Sequence, residues 1–245
     1  MRYLIFSDLH SNLESLQSFS EIIESIEHDK KVFLGDLVGY GADPNACVDW
    51  VRENADIILG GNHDYAVVGK TELTYMNPYA YQACLWTRQE LTPENKEFLQ
   101  GLPSEIVEDG VHWVHSSPHE PEQWHYVVSS QDGKINFDHF STQLCFLGHS
   151  HRPVVIKQEQ GRGGAITDSI SPAKCELKPD HRYIVNVGSL GQPRDGNPRP
   201  VFVIYDSTRS TIEFQRYEYD FAATQRKILA CGLPPYLAER LEKGV

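Results

Sequence analysis

Apolar residues follow two alternating patterns along the first part of the chain. "RYLIFSD" is a short buried strand, and after it Leu13, Leu16, Phe19, Ile22, Ile23 and Ile26 recur at the spacing of one helix face. "KVFLGD" and "ADIILGG" repeat the strand, and "DPNACVDWVREN" between them reads as a helix capped by Asp43 with Pro44 in its first turn. Strands that alternate with helices imply an α/β sheet. "NPYAYQACLWTRQEL" and "TPENKEFLQGL" continue as helices, the second opened by Thr92 and Pro93. The pattern then turns β: "SEIVED", "VHWVHSS", "QLCFLGHS", "PVVIKQEQ", "YIVNVGS", "PVFVIYD" and "STIEFQRYEY" are short runs rich in β-branched and aromatic residues. Two sheets packed together, with helices outside, use all of these. Residues 160–181 have the Gly, Ser and Pro content of a hairpin or flap, and 220–243 close the chain with a helix, a stop at Gly232 and a second short helix.

Composition narrows the partners. At 245 residues, 40% hydrophobic and 23% charged, the chain has the size of one large domain or two small ones. No stretch approaches a membrane span, and "MRYLIF" lacks the apolar core of a signal peptide, so the expected location is cytoplasmic. Cys47, Cys84, Cys145, Cys175 and Cys231 are far apart without a CxxC pair, which fits a reducing compartment and argues against a zinc ribbon. The net charge of −12 disfavours long nucleic acid as a partner. A small phosphorylated substrate remains open if a metal supplies local positive charge.

Several predicted strands end in metal-capable side chains. The first gives Asp8 and His10, the second Asp36, the third Asn62, His63 and Asp64; "HWVH" gives His115, and "CFLGHSH" gives His149 and His151. In an open α/β sheet, ligands bind beyond the carboxyl ends of the strands, so these residues converge in space. Taken singly, each match is common by chance, and Gly60-Gly61-Asn62-His63-Asp64 is equally a surface turn.

The ordered set D-x-H, G-D, G-N-H-D, H and G-H-x-H over residues 8–151 resembles the calcineurin-like metallophosphoesterase superfamily. That resemblance implies a four-layer αββα sandwich of two mixed β-sheets flanked by helices, one domain over 1–245 with the helices of 220–243 packed on it. It also implies two metal ions, one held by Asp8, His10, Asp36 and His151, the other by Asp36, Asn62, His115 and His149, with Asp36 bridging. Imidazole and carboxylate donors without thiolate suit divalent or trivalent Mn, Fe or Zn and do not choose among them. Two cations about 3.5–4 Å apart can acidify a water between them and clamp the attacking and leaving oxygens of a displacement at phosphorus. Asn62 and His63 then face the substrate, His63 protonating the leaving oxygen or stabilising charge while Asp64 orients its ring. Gly60 and Gly61 are expected to let the backbone turn tightly beside the ions.

Within the superfamily, "GDLVGYGADP" has no Arg after Asp36, and Asp64 stands where the protein-phosphatase branch carries Glu. The layout from "SDLHSN" through "NVGSLGQPRDGNPRPVFVIYD" is more similar to the small bacterial and archaeal phosphodiesterases. The expected activity is metal-dependent hydrolysis of phosphodiesters or nucleotide-type substrates. Alternatives are a serine/threonine protein phosphatase or diadenosine-tetraphosphatase-like activity and, from another class, a catalytically silent interaction scaffold. The loop "NVGSLGQPRDG" is either a surface turn or the carrier of Arg194, whose planar guanidinium would grip the substrate's phosphate. His28, His112, His119, His125, His139 and His181 match no motif position and read as surface or loop residues.

Overall fold

Side chains along the central strands divide between two cores. On Arg2–Phe6, Tyr3 and Ile5 join one apolar cluster while Leu4 and Phe6 join another, and all four are buried. A strand buried on both faces reads as a continuous apolar run, which is why the sequence there shows no alternation. The computed structural model describes residues 1–159, 166–170 and 173–245.

In chain order the elements are β1 (Arg2–Phe6), α1 (Leu13–Ile23), β2 (Lys30–Phe33), α2 (Pro44–Asn54), β3 (Ile57–Ile58), α3 (Asn62–Val68), α4 (Pro78–Glu90), α5 (Pro93–Gly101), β4 (Glu105–Glu108), β5 (Val111–Val114) and α6 (Ser130–Asn136). There follow β6 (Leu144–Leu147), β7 (Val154–Glu159), β8 (Ile166–Ile170), β9 (Lys174–Glu176), β10 (His181–Asn186), β11 (Val201–Asp206), β12 (Thr211–Arg216), α7 (Phe221–Ala230) and α8 (Pro235–Glu239). One sheet has the order β3-β2-β1-β11-β12-β9 and the other β4-β5-β6-β10-β7-β8. Both are mixed: β1, β2 and β3 run parallel, as do β5, β6 and β10, with antiparallel strands on the flanks.

Between the sheets lies a core that includes Ile5, Trp113, Phe146, Val185 and Val203. Trp113 stacks on Phe146 with ring centroids 5.2 Å apart, and truncating a buried aromatic of this kind costs about 3–5 kcal/mol. The opposite face of the first sheet packs on α1 and α2 through Phe6, Phe19, Val48 and Phe202. The second sheet's outer face packs on Phe137 and Phe140 through Cys145, Leu147 and Ile184. These are the four layers, helix–sheet–sheet–helix, expected from the sequence. The C-terminal helices α7 and α8 share a further cluster with α4 that includes Ala83, Ile228 and Leu237.

Three local expectations change. Asp43 precedes α2 but makes no side-chain cap bond; its carboxylate instead meets Lys227 Nζ at 2.9 Å, so it ties α2 to α7. Residues after Gly61, read as a turn, begin the helix α3 at Asn62. In the 160–181 segment, read as a hairpin or flap, residues 160–165 and 171–172 lie outside the described residues; β8 joins the edge of one sheet and β9 the edge of the other. Among the described residues no helix is long and apolar enough to cross a membrane.

Candidate metal centre

The parallel strands of both sheets deliver their carboxyl ends to one place. Asp8 and His10 follow β1, Asp36 follows β2, Asn62 and His63 open α3 after β3, His115 follows β5, and His149 and His151 follow β6. Backbone bonds stitch these loops together: Asp8 N–H donates to Gly35 O at 2.9 Å, His10 N–H to Asp36 O at 3.1 Å and Gly148 N–H to His115 O at 2.9 Å. Asp8, His10, Asp36, His115, His149 and His151 are all buried.

Their ligand atoms form two groups, each within 4.8 Å: Asp8, His10, Asp36 and His151, and Asp36, His115 and His149. Asp36 belongs to both, and its Oδ2 lies 3.6 Å from His10 Nε2 and 3.5 Å from His115 Nε2. These are the sets expected from the sequence apart from Asn62, which lines one cavity together with His149. Asn62 Oδ1 is buried and has no hydrogen-bond partner.

Each of the four imidazoles has one nitrogen tied to a backbone carbonyl. Nδ1 of His10 bonds Val38 O at 3.0 Å, Nδ1 of His115 bonds Leu34 O at 2.9 Å, Nδ1 of His151 bonds Gln192 O at 2.6 Å, and Nε2 of His149 bonds Trp124 O at 2.8 Å. A carbonyl only accepts, so the tied nitrogen carries the hydrogen and the other presents a lone pair when the ring is neutral. Those free nitrogens point at one another or at the carboxylates: His10 Nε2 and His151 Nε2 are 3.1 Å apart, His151 Nε2 is 3.2 Å from Asp8 Oδ1 and His115 Nε2 3.5 Å from Asp36 Oδ2, while His149 Nδ1 is buried without a hydrogen-bond partner. Unpartnered buried acceptors are costly, and a set of them converging is satisfied by cations. The donor set therefore fits metal ions.

Charge balance agrees. Burial alone would raise the Asp36 carboxyl, but the imidazoles of His115, His63 and His10 hold it well below the usual carboxylate range. Burial pushes His115 down, and the Asp36 charge overrides it to bring the ring up to about 9. In the metal-free protein a proton on His115 thus offsets the Asp36 charge, and metal binding displaces such protons. Burial brings His149 down to about 3 and His63 down to about 4.

The backbone here is strained. Asp8, His10, Asp36, His149 and His151 all have left-handed φ, between 50° and 63°. For residues other than Gly this conformation costs of order 1–3 kcal/mol each and persists where the surroundings enforce it. Of the two glycines expected to relax the turn, Gly61 has an ordinary extended φ of −103°. Its need is for space, because a Cβ there would collide with the Asp36 carboxylate. Gly35 does need the left-handed region, at φ 107°, and a Cβ on it would sit 2.7 Å from His115 Nδ1.

His63 is placed as expected and Asp64 is not. The His63 ring lies 4.8 Å from that of His10 and 4.5 Å from that of Tyr40, with Nδ1 3.5 Å from Cys84 Sγ. It lines a cavity of about 360 Å³ together with Asn62, Tyr40, Trp124, Tyr126 and His149. The expectation that Asp64 orients this ring is corrected: its carboxylate accepts from the backbone N–H groups of Leu37, Val38 and Gly61 at 2.9–3.2 Å. Asp64 thereby braces the loop that carries Asp36. Burial and the Asp36 charge raise its carboxyl to about 7 against the pull of these three donors.

Arg194 lies beside the cleft. Its backbone N–H donates to His151 O at 3.2 Å, its Nη2 donates to Gln192 Oε1 at 2.8 Å, and its guanidinium is 5.6 Å from the Tyr40 ring centre. Arg240, from the residue after α8, approaches the same ring at 6.0 Å. The two line a second cavity of about 330 Å³ that shares Tyr40, Asn77 and Tyr126 with the first. Sequence reading missed Arg240, Tyr126 and Cys84, since none sits in a motif; α4 brings Cys84 to His63, the segment after β5 brings Tyr126, and the end of α8 brings Arg240.

Two β-sheets between helices, with a buried Asp/His cluster at the carboxyl ends of parallel strands, define a class of metal-dependent hydrolases. The calcineurin-like phosphoesterase superfamily domain matches residues 1–210, and the chain belongs to that superfamily. The chain is 40% identical to uncharacterized protein MJ0912 of Methanocaldococcus jannaschii, over 98% of this chain and 97% of that one. Among solved structures it is similar to a metallophosphoesterase from Sphaerobacter thermophilus, with a TM-score of 0.88, 36% identity and both chains covered in full. The hypothetical protein PH1004 of Pyrococcus horikoshii shares the fold at a TM-score of 0.79 with 17% identity, over 100% of this chain and 98% of that one. The chain is a phosphoester hydrolase, and its activity is metal-dependent.

Proposed function

We propose that the chain hydrolyses phosphodiesters or nucleotide-type phosphate esters at a centre of two ions. Asp8, His10, Asp36 and His151 would hold one, and Asp36, Asn62, His115 and His149 the other. The observation that supports this most is the set of imidazole nitrogens left bare because each ring's other nitrogen is tied to a carbonyl. Bound ions supply the positive charge that polarises a phosphoryl group and acidifies water.

The protein's own groups do the rest. His63, held neutral by burial, faces the cavity; the negative charge of a bound phosphate ester would favour its protonated form, from which it would give that proton to the leaving oxygen. Asn62 Oδ1, otherwise unpartnered, would coordinate the second ion and leave its side-chain N–H groups to donate to a phosphate oxygen. Arg194 and Arg240 grip phosphate oxygens or the leaving side, for which planar guanidinium groups are suited. The scaffold alternative has no use for buried, unpartnered donors that lower stability. Manganese, iron and zinc all suit the donors, a cytoplasmic setting suits the absence of disulfides among the described cysteines, and small phosphorylated molecules suit the cavity.

Assays with added manganese against bis(p-nitrophenyl) phosphate, p-nitrophenyl phosphate and single-stranded DNA separate the readings. A diester preference is expected. Activity confined to the monoester, or to DNA, would overturn the substrate class, and none on any substrate would favour the scaffold.

A further inference from the structure

Histidines cluster a second time, away from the buried centre. In the segment between β5 and α6, His119, Glu120 and His125 bring ligand atoms within 4.8 Å of one another. Nε2 of His119 lies 3.5 Å, and Nε2 of His125 3.4 Å, from the same oxygen, Glu120 Oε2. The two rings stack at 14° with centroids 5.7 Å apart, and the ring of His139 comes within 4.2 Å of that of His119.

The surrounding backbone holds this arrangement. His119 N–H donates to Asn136 Oδ1 at 3.1 Å, and its carbonyl accepts from Ser117 Oγ at 2.8 Å. Glu120 and Trp124, on either side of the 3₁₀ turn Pro121–Gln123, both have left-handed φ, 49° and 57°. Two such residues four positions apart store strain that something must hold.

We propose that His119, Glu120 and His125 form a surface site for a transition-metal ion of the zinc class. Two imidazole nitrogens and one carboxylate oxygen suit Zn²⁺, Ni²⁺ or Cu²⁺ and do not suit Mg²⁺ or Ca²⁺, which take oxygen cages. The side chains are 34%, 59% and 48% exposed respectively, so an ion exchanges with solvent without opening the fold. None of them belongs to the buried centre, and the proposal stands apart from the reading of that centre.

The site has a direct path to the cleft. The same loop supplies the Trp124 carbonyl that bonds His149 Nε2 at 2.8 Å, and Tyr126, whose ring stacks on His149 at 4.4 Å and 14°. An ion on the loop cross-links its two ends and restrains both contacts to His149.

Modification by diethylpyrocarbonate, mapped residue by residue with mass spectrometry, tests this on the full chain with zinc chloride as the probe. At zinc near ten times its dissociation constant, modification of His119 and His125 slows about tenfold, as mass action requires. His28, elsewhere on the molecule, is modified at an unchanged rate, and magnesium gives no protection. In His125→Ala, zinc no longer protects His119. Equal modification of His119 and His125 with and without zinc overturns the proposal, as does protection of His119 that survives His125→Ala, which would mark adsorption to a lone ring.

Discussion

The floor of the cleft and its wall are built on different terms. On the floor, Asp8, His10, Asp36, His115, His149 and His151 are each no more than 6% exposed, five of the six in strained backbone and all within reach of one another's loops. On the wall, Tyr126 is 55% exposed, Tyr79 and Tyr236, which line the second cavity with it, are 44% and 41% exposed, and Arg194 and Arg240 arrive from separate segments. A buried, cross-bonded donor set is pre-organised and tolerates little change, whereas exposed rings and guanidinium groups can be replaced at small cost to the fold. The contrast teaches that, on the proposed function, the floor would fix the chemistry and the wall would select what is presented to it.

The sharpest break is on the floor. Asp36→Asn removes the one carboxylate common to both ligand groups. Outer hydrogen-bond partners of a metal site already cost about 10–100-fold in affinity when lost, so turnover is expected to fall to background and retained metal to drop at both positions, read by elemental analysis after dialysis. His63→Gln comes next. It keeps metal and fold and loses about 10²–10⁴ in rate, the scale of a general acid, with the heavier loss on esters whose leaving groups are poor. Equal losses on good and poor leaving groups would count against the role.

On the wall the effects shrink. Arg194→Ala and Arg240→Ala each lower kcat/KM for a diester by about tenfold, as expected for one charged hydrogen bond of about 1.5 kcal/mol, with metal content unchanged; Arg194→Lys rescues only in part. Unaltered kinetics in both alanine variants would move the substrate off this wall. The smallest effect on rate belongs to Asp64→Asn. Its amide cannot replace every acceptor contact to Leu37, Val38 and Gly61, and leaving a buried N–H unpaired costs about 1–3 kcal/mol. Urea denaturation should show that loss; a normal stability with a large rate defect would restore Asp64 to an orienting role toward His63.

How much of this was legible follows the same division. Floor residues sit in short motifs directly after apolar strands, so strand ends and candidate ligands came from the sequence together, and the Asp and His members of both groups gather around Asp36. The left-handed backbone at those residues was not legible, because Asp and His carry no local mark of it. Gly61 was read as a conformational device, and the structure shows a steric one. Asp64 was misassigned because adjacency in sequence suggested contact with His63, while helix α3 turns successive side chains apart. Arg240, Tyr126 and Cys84 reach the cleft through packing between elements distant in the chain, and no periodicity records that.

The most direct test is anomalous diffraction from crystals of the manganese-loaded protein, recorded near the manganese edge. The account predicts two strong peaks per chain, one bonded to Asp8, His10, Asp36 and His151 and the other to Asp36, Asn62, His115 and His149. A single peak, or a pair in which Asp36 contacts only one ion, would contradict it.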